Sequence, residues 1–273
     1  MPRLPSDRGW IARSFRFDRV ASQMDGTGEA WEAHMGRVVD FGEIAARQLV
    51  GGVSSTDVTA GDTQEFAAQR IKIDAGKVWR SAAPAGSDLY VFTLSGHGMI
   101  DAGSYHCELP QHAFATIGEG VAISLTATVA TELVAVTTPP KGTAAAVRGY
   151  QGALAVGVLA REPVVVVPEQ KKTRVYLCGH LHGAETERGH AMVVGYEKDT
   201  LTALHHHPNA ESLFVMLEGA CRFTVNGQQV DVRPGQAAYF TANDRHGLAT
   251  APGHAGARFL EFHIPSAFTT VKA

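Results

Sequence analysis

Beyond Glu65 the apolar positions do not recur at a helical spacing. They come in short runs split by turns. Residues 66–73, 88–94, 113–117, 121–127 and 132–136 are rich in β-branched and aromatic side chains and are bounded by Gly, Pro, Ser or Asp, which predicts strands. The same rhythm resumes at 174–178, 191–196, 212–217, 221–225, 228–232, 237–241 and 258–264. Turns every 8–12 residues or so are the mark of an all-β sandwich or barrel. Asn226-Gly227 between two alternating runs predicts a two-residue hairpin turn, since both central residues of that turn need positive φ. Residues 1–60 show no clean period, and the patchy helical character of 30–50, as in 41–50, predicts a short helix.

Two features divide the chain. Pro139-Pro140 followed by small residues reads as a linker or crossover. Weak repeat marks sit on either side of it. Leu94-Ser95-Gly96 matches Leu217-Glu218-Gly219, and Gln111 after Pro110 matches Gly235 after Pro234. The expected organisation is an N-terminal arm (1–60), a first barrel (61–138), a crossover (139–170), a second barrel (171–266) and a C-terminal tail (267–273).

Charge narrows the partners. With 24 basic and 27 acidic residues the net charge is -3, so no basic excess exists to displace counterions from a nucleic acid. No apolar run approaches the ~20 residues of a membrane helix. Arg3, Asp7, Arg8 and Arg13 interrupt any signal-like stretch. Cys107, Cys178 and Cys221 are too few and too scattered for a disulfide framework or a CxxC metal knuckle. These features predict a cytoplasmic protein with no nucleic-acid or membrane partner. The unusual count is 13 histidines.

Three of those histidines are consecutive, His205-His206-His207, ahead of Pro208. On an extended strand alternate side chains share a face, so His205 and His207 point together and His206 points away. Two imidazoles on one face can chelate one metal ion. After Pro208 the chain can return Glu211 or Ser212 to the pair, and His246 follows the strand at 237–241 closely enough to join it. Such a site keeps open coordination positions, which suits catalysis more than structure.

The sequence His205-x-His207-x3-Glu211, then Gly219, Pro234-Gly235 and His246, resembles the two motifs of the cupin superfamily. The likeness is close over about 171–265 and weak over 65–136. It implies a bicupin, with two double-stranded β-helix (jelly-roll) barrels, the first degenerate and the second metal-binding. It further implies His205, His207, Glu211 and His246 as ligands of a divalent metal, Fe(II) first, with Mn, Ni or Zn as alternatives. Two registers are open for Glu211. Counting back from Gly219 places Ser212 at the carboxylate position, and a one-residue slip reverses a strand side chain, whereas a bulge would return Glu211 to the metal. Glu211 is then either the fourth ligand or a nearby general base. In the first half the same counting puts Ala82, Pro84 and Ala122 at the ligand positions, and none of these binds metal.

Other features read as ordinary structure. His180, His182 and His190 form a polar stretch ahead of the motif, with a role in substrate contact as the alternative. Arg258 and Glu261 read as an ion pair at the core edge, and His254 and His263 as surface or core residues. The Gly-rich turns at Gly96 and Gly118 lead into no predicted helix and so offer no phosphate site. The resemblance implies first a non-haem dioxygenase acting on a small aromatic or enolisable substrate. A redox-neutral lyase, isomerase or aminohydrolase comes second, and a non-catalytic binding cupin third. A homodimer is left open.

Overall fold

Some strands of the chain are apolar on both faces and others on one face only. Leu89–Ser95 and Glu211–Gly219 are buried almost throughout, whereas His97–Ala102 and Cys221–Val225 alternate between buried and half-exposed residues. A strand covered on both sides needs a continuous apolar run, and a strand with one solvated face needs alternation. The computed structural model describes residues 36–138, 154–179, 187–225 and 227–273. Among these, only the single turns Leu159–Arg161 and Pro168–Gln170 are helical, and no helix is long and apolar enough to cross a membrane.

The doubly covered strands lie at the centre of two seven-stranded sheets, whose outer strands are more exposed, and a four-stranded and a five-stranded sheet hold one-faced strands. Each seven-stranded sheet closes over a smaller one to make a barrel. Trp79, Ile100 and Leu125 fill the first barrel. Phe214, Phe223, Phe240 and Phe259 fill part of the second. A third core lies between the two large sheets, where Tyr90, Phe92 and Phe114 of the first meet Leu213, Leu260 and Phe262 of the second. The Tyr90 and Phe262 rings stand 5.9 Å apart there.

The strand order is duplicated. Reading the first large sheet as Leu154–Val158, Ala113–Ile117, Leu89–Ser95, Thr131–Thr137, Ala67–Ile73, Val53–Asp57 and Arg47–Val50, each strand has its counterpart, in the same order, in Arg37–Asp40, Gln236–Phe240, Glu211–Gly219, Gly256–Ile264, His190–Glu197, Lys172–Cys178 and Val165–Val167. The exchange is reciprocal. Arg37–Asp40 precedes the first barrel but pairs with Gln236–Phe240 of the second, and Leu154–Val158 opens the second repeat but pairs with Ala113–Ile117 of the first. Gly96 and Gly219 mark equivalent corners. Both have positive φ, and a Cβ would lie 2.3 Å from Ala130 O at the one and 2.1 Å from Gly256 O at the other. Only glycine lets the backbones approach so closely.

Polar groups also join the barrels. Buried Arg188 pairs with Asp88 at 2.8 Å and with Glu119 at 2.8 Å.

Three sequence expectations change. The helix at 41–50 is absent. Phe41 alone is buried there, which leaves no apolar stripe for a helix to cover, and Arg47–Val50 instead pairs with Val53–Asp57 across Gly51-Gly52. The arm and the crossover contribute strands, because their short apolar segments complete sheet edges. The residue equivalent to Gly235 is His112, not Gln111, since each precedes the next strand directly and has positive φ. At the predicted hairpin Val225 pairs with Gln228 and Gly227 has φ +79°, while Asn226 lies outside the described residues. His180 and His182 also lie outside them.

Candidate metal centre

Strand Leu201–His206 pairs with His246–Thr250, and the ladder sets His205 directly opposite His246. His207, two residues on, shares the face of His205. The ring centroids lie 4.4 Å apart for His205 and His246, 5.1 Å for His205 and His207, and 5.4 Å for His207 and His246. One nitrogen from each ring falls within 4.8 Å of the others. Among the described residues no other group of His, Cys, Asp and Glu converges in this way.

Backbone carbonyls select the tautomer. Nδ1–H of His205 donates to Ala203 O at 2.9 Å, that of His207 to Thr269 O at 2.9 Å, and that of His246 to Asp244 O at 3.0 Å. Each carbonyl can only accept, so each Nδ1 carries the proton and each Nε2 presents a lone pair. Nε2 of His207 and of His246 is buried with no hydrogen-bond partner. An orphaned buried acceptor is costly, and a cation among the three nitrogens would satisfy all of them. Burial pushes His246 down to about 3 and His207 down to about 4, and it lowers His205 as well. The three rings are therefore neutral at pH 7, the state in which imidazole binds metal.

Neighbouring residues hold these rings. Phe240 stacks on His246 at 4.2 Å, and Phe268 meets His207 edge-on at 5.3 Å. The Asp244 carboxylate accepts from Thr241 N and Oγ1 at 2.7 and 2.9 Å and so shapes the turn before His246. Asn209 clips the C-terminal segment, donating to Ala267 O at 2.9 Å and accepting from Thr269 N at 2.8 Å. That clip places the carbonyl that orients His207. The segment ends by pairing Val271 and Lys272 with His206 and His205.

Glu211 does not join the trio. Its carboxylate accepts from the backbone N–H of Gln64 at 2.9 Å and of Glu65 at 2.7 Å, in the other barrel. The reason is register. Ser212, Phe214 and Met216 face the barrel interior, so Glu211 shares the opposite face with Leu213 and Val215, which lie in the core between barrels. Ser212 takes the inward position, with its Oγ 2.9 Å from His263 Nδ1.

The expected Arg258–Glu261 pair is also absent. Arg258 pairs with Glu218 at 2.9 Å, while Glu261 and His263 point inward and bond to each other at 2.6 Å. His263 is buried beside the trio, 4.7 Å from the His207 ring, and Phe268 stacks on its other side at 3.9 Å. Burial raises the Glu261 carboxyl, but the hydrogen bond and charge of His263 outweigh it and hold the group below the usual carboxylate range. Alternation with Phe259 in strand Gly256–Ile264 was the available signal for this inward pair. His190, opposite His263 in the ladder, is buried as well.

His205 and His207 open onto a cavity of about 790 Å³ that also reaches Glu261, His263, Lys172 and Tyr196. In the first barrel the equivalent ladder positions are Ser81, Ala83 and Ile123, one residue from those expected, because Ile123 faces Ser81 as His246 faces His205. Cys107, Cys178 and Cys221 are free. Burial pushes the Cys221 thiol up to about 12 and raises Cys178 further, so both stay protonated.

The cupin domain family profile matches residues 192–263, which span the trio, Glu261 and His263. The two-barrel arrangement has parallels among solved structures. A mutant of Bacillus subtilis oxalate decarboxylase superposes with a TM-score of 0.67 at 13% identity, over 91% of this chain and 81% of that one. The chain has the two-barrel fold of these bicupin structures. The formate complex of Lactobacillus farciminis oxalate decarboxylase gives a TM-score of 0.66 at 11% identity, over 86% and 88% of the two chains. A B. subtilis oxalate decarboxylase structure concerned with its Mn(II) centres gives 0.68 at 12% identity, over 91% and 81%. Identities this low establish a shared fold alone. No curated protein sequence matches this chain.

Proposed function

We propose that this bicupin is a metal-dependent lyase acting on a small organic acid. In this reading His205, His207 and His246 hold a divalent ion through Nε2, and the first barrel is a structural partner. The observation that carries the reading is the set of three converging, carbonyl-oriented imidazoles, two with orphaned Nε2 atoms, of which His205 and His207 line a cavity large enough for a substrate. Support for a lyase over a dioxygenase comes from the oxalate decarboxylases that share the fold, one of them described with Mn(II) centres. Mn(II) is therefore the first metal to test, ahead of Fe(II), Ni(II) and Zn(II).

A bound divalent ion supplies Lewis-acid polarisation of a substrate oxygen. The chain supplies the rest. Met192, Val194, Phe214 and Leu248 line the cavity with apolar surface, which excludes water and strengthens the electrostatic contacts inside it. Glu261 is an ionised, largely buried carboxylate that lines the same cavity, and His263 holds it in place. It can take a proton from a substrate carbon or oxygen and return one to a developing carbanion.

Turnover of small hydroxy, oxo and dicarboxylic acids by Mn(II)-loaded protein, followed with and without dioxygen, tests the reading. Activity should persist without oxygen and consume none. Glu261→Gln should lower kcat at least about 100-fold while the metal is retained. Turnover that requires stoichiometric oxygen would overturn the lyase in favour of the dioxygenase.

A further inference from the structure

The strand Lys172–Cys178 has two faces with opposite tasks. Val175 and Leu177 enter the core between barrels. Lys172, Arg174 and Tyr176, on the alternate positions, line the cavity. Lys172 is 9% exposed. Its Nζ donates to Thr202 Oγ1 at 2.7 Å and stands 5.0 Å from the centroid of the Tyr196 ring, opposite it in the ladder. The Tyr196 hydroxyl bonds the same Thr202 oxygen, so the ammonium is held in place by neutral groups. Among the described residues neither Lys172 nor Arg174 forms an ion pair.

That arrangement is unusual for a buried cation. Burial of an ammonium is unfavourable without a counter-charge, and lysine is rarely buried unless paired. Burial, with Arg174 nearby, lowers the ammonium from its ordinary range, as expected of a cation that lacks a contacting anion. Glu261 lines the same cavity but is bonded to His263. Glu169 and Asp199 also line it, as exposed residues. An ammonium has three donors, and one bond to Thr202 leaves donor capacity for a ligand.

We propose that Lys172 is the anion-binding residue of the cavity, so that the substrate is a small bifunctional acid with one carboxylate directed at Lys172 and another oxygen facing the histidine trio. The assignment of the trio's end rests on the metal reading above, whereas the assignment of Lys172 does not.

The test is calorimetric titration of malonate and succinate into the wild-type protein, Lys172→Met and Lys172→Arg, each loaded with Mn(II) and each metal-depleted. The wild type should bind at least one of the two acids and should not bind its neutral diamide. Lys172→Met should weaken that binding about tenfold or more, with or without metal, because a charge-assisted hydrogen bond is lost. Lys172→Arg keeps the charge and should stay within about threefold. Lys172→Gln replaces the Met variant if the latter does not fold. Unchanged affinity in the neutral variant, no binding of either acid by the wild type, or equal binding of the diamide would overturn the proposal. A protein that takes up no metal, or whose metal does not tighten the acid, would instead sink the metal reading while the Lys172 dependence persisted.

Discussion

His207 shows how much of the site depends on single atoms. Its Nδ1 is occupied by Thr269 O, its Nε2 is bare, and Phe268 and His263 close on its ring. His207→Ala or His246→Ala should therefore abolish metal uptake, read by elemental analysis, while the circular dichroism of the barrel is retained. Glu211→Gln should do the reverse. Metal content should be unchanged, while denaturation shows a loss of about 1.5–3 kcal/mol, the worth of a hydrogen bond to a charged group. Acid titration of the metal-free protein adds a further check. His207 and His246 are depressed in the folded state, to about 4 and about 3, so between these values and the ordinary histidine range the unfolded chain binds more protons. Stability should then be fully present above about pH 6.5 and fall as pH drops from there towards 3. The trio was legible in the sequence because a strand's two-residue period and the spacing from Pro234-Gly235 are local properties. Glu211 was misplaced because one residue of register decides which face a side chain takes. Glu261 and His263 were missed because inward and outward charges on a strand look alike in sequence until the partner sheet is known.

Among the elements, the C-terminal segment contributes more than its short strand Val271–Lys272 indicates. It brings Thr269 O to His207 and Phe268 to His263, and Asn209 fixes it in position. A chain ending at Ser266, or carrying Asn209→Ala, should fold but bind Mn(II) roughly 10–100-fold more weakly, the usual cost of losing a group that orients a metal ligand. Competition with a chelator of known affinity reads this directly. Nothing in residues 267–273 announces the role, since so short a segment of mixed polarity gives no periodic signal. The strands at Leu89–Ser95, Ala113–Ile117, Glu211–Gly219 and Gly256–Ile264 were plain because sheets covered on both faces demand apolar runs. Val78–Ala82 and Tyr105–Pro110 were not, because partly exposed edge strands tolerate charged and polar residues.

The molecule as a whole is held together by the core between the two large sheets and by the exchange of one strand in each direction. Arg188, 7% exposed and bonded to Asp88 and Glu119, ties the barrels across that core. Arg188→Ala leaves Asp88 buried without its cation and should cost roughly 3–5 kcal/mol in chemical denaturation. A loss below about 0.5 kcal/mol would mean the pair is solvated and the barrels are held by apolar contacts alone. The duplication was visible in the paired turn glycines, Gly96 and Gly219, whose close approach to a neighbouring backbone excludes any side chain. The strand exchange was not visible, because pairing between segments so distant in sequence leaves no local pattern. The most direct test of the central claim is an anomalous-scattering map of crystals grown with Mn(II). One peak within bonding distance of Nε2 of His205, His207 and His246, with Glu211 still on Gln64 and Glu65, is the predicted result. No peak at the trio, or a peak bonded to Glu211, would contradict it.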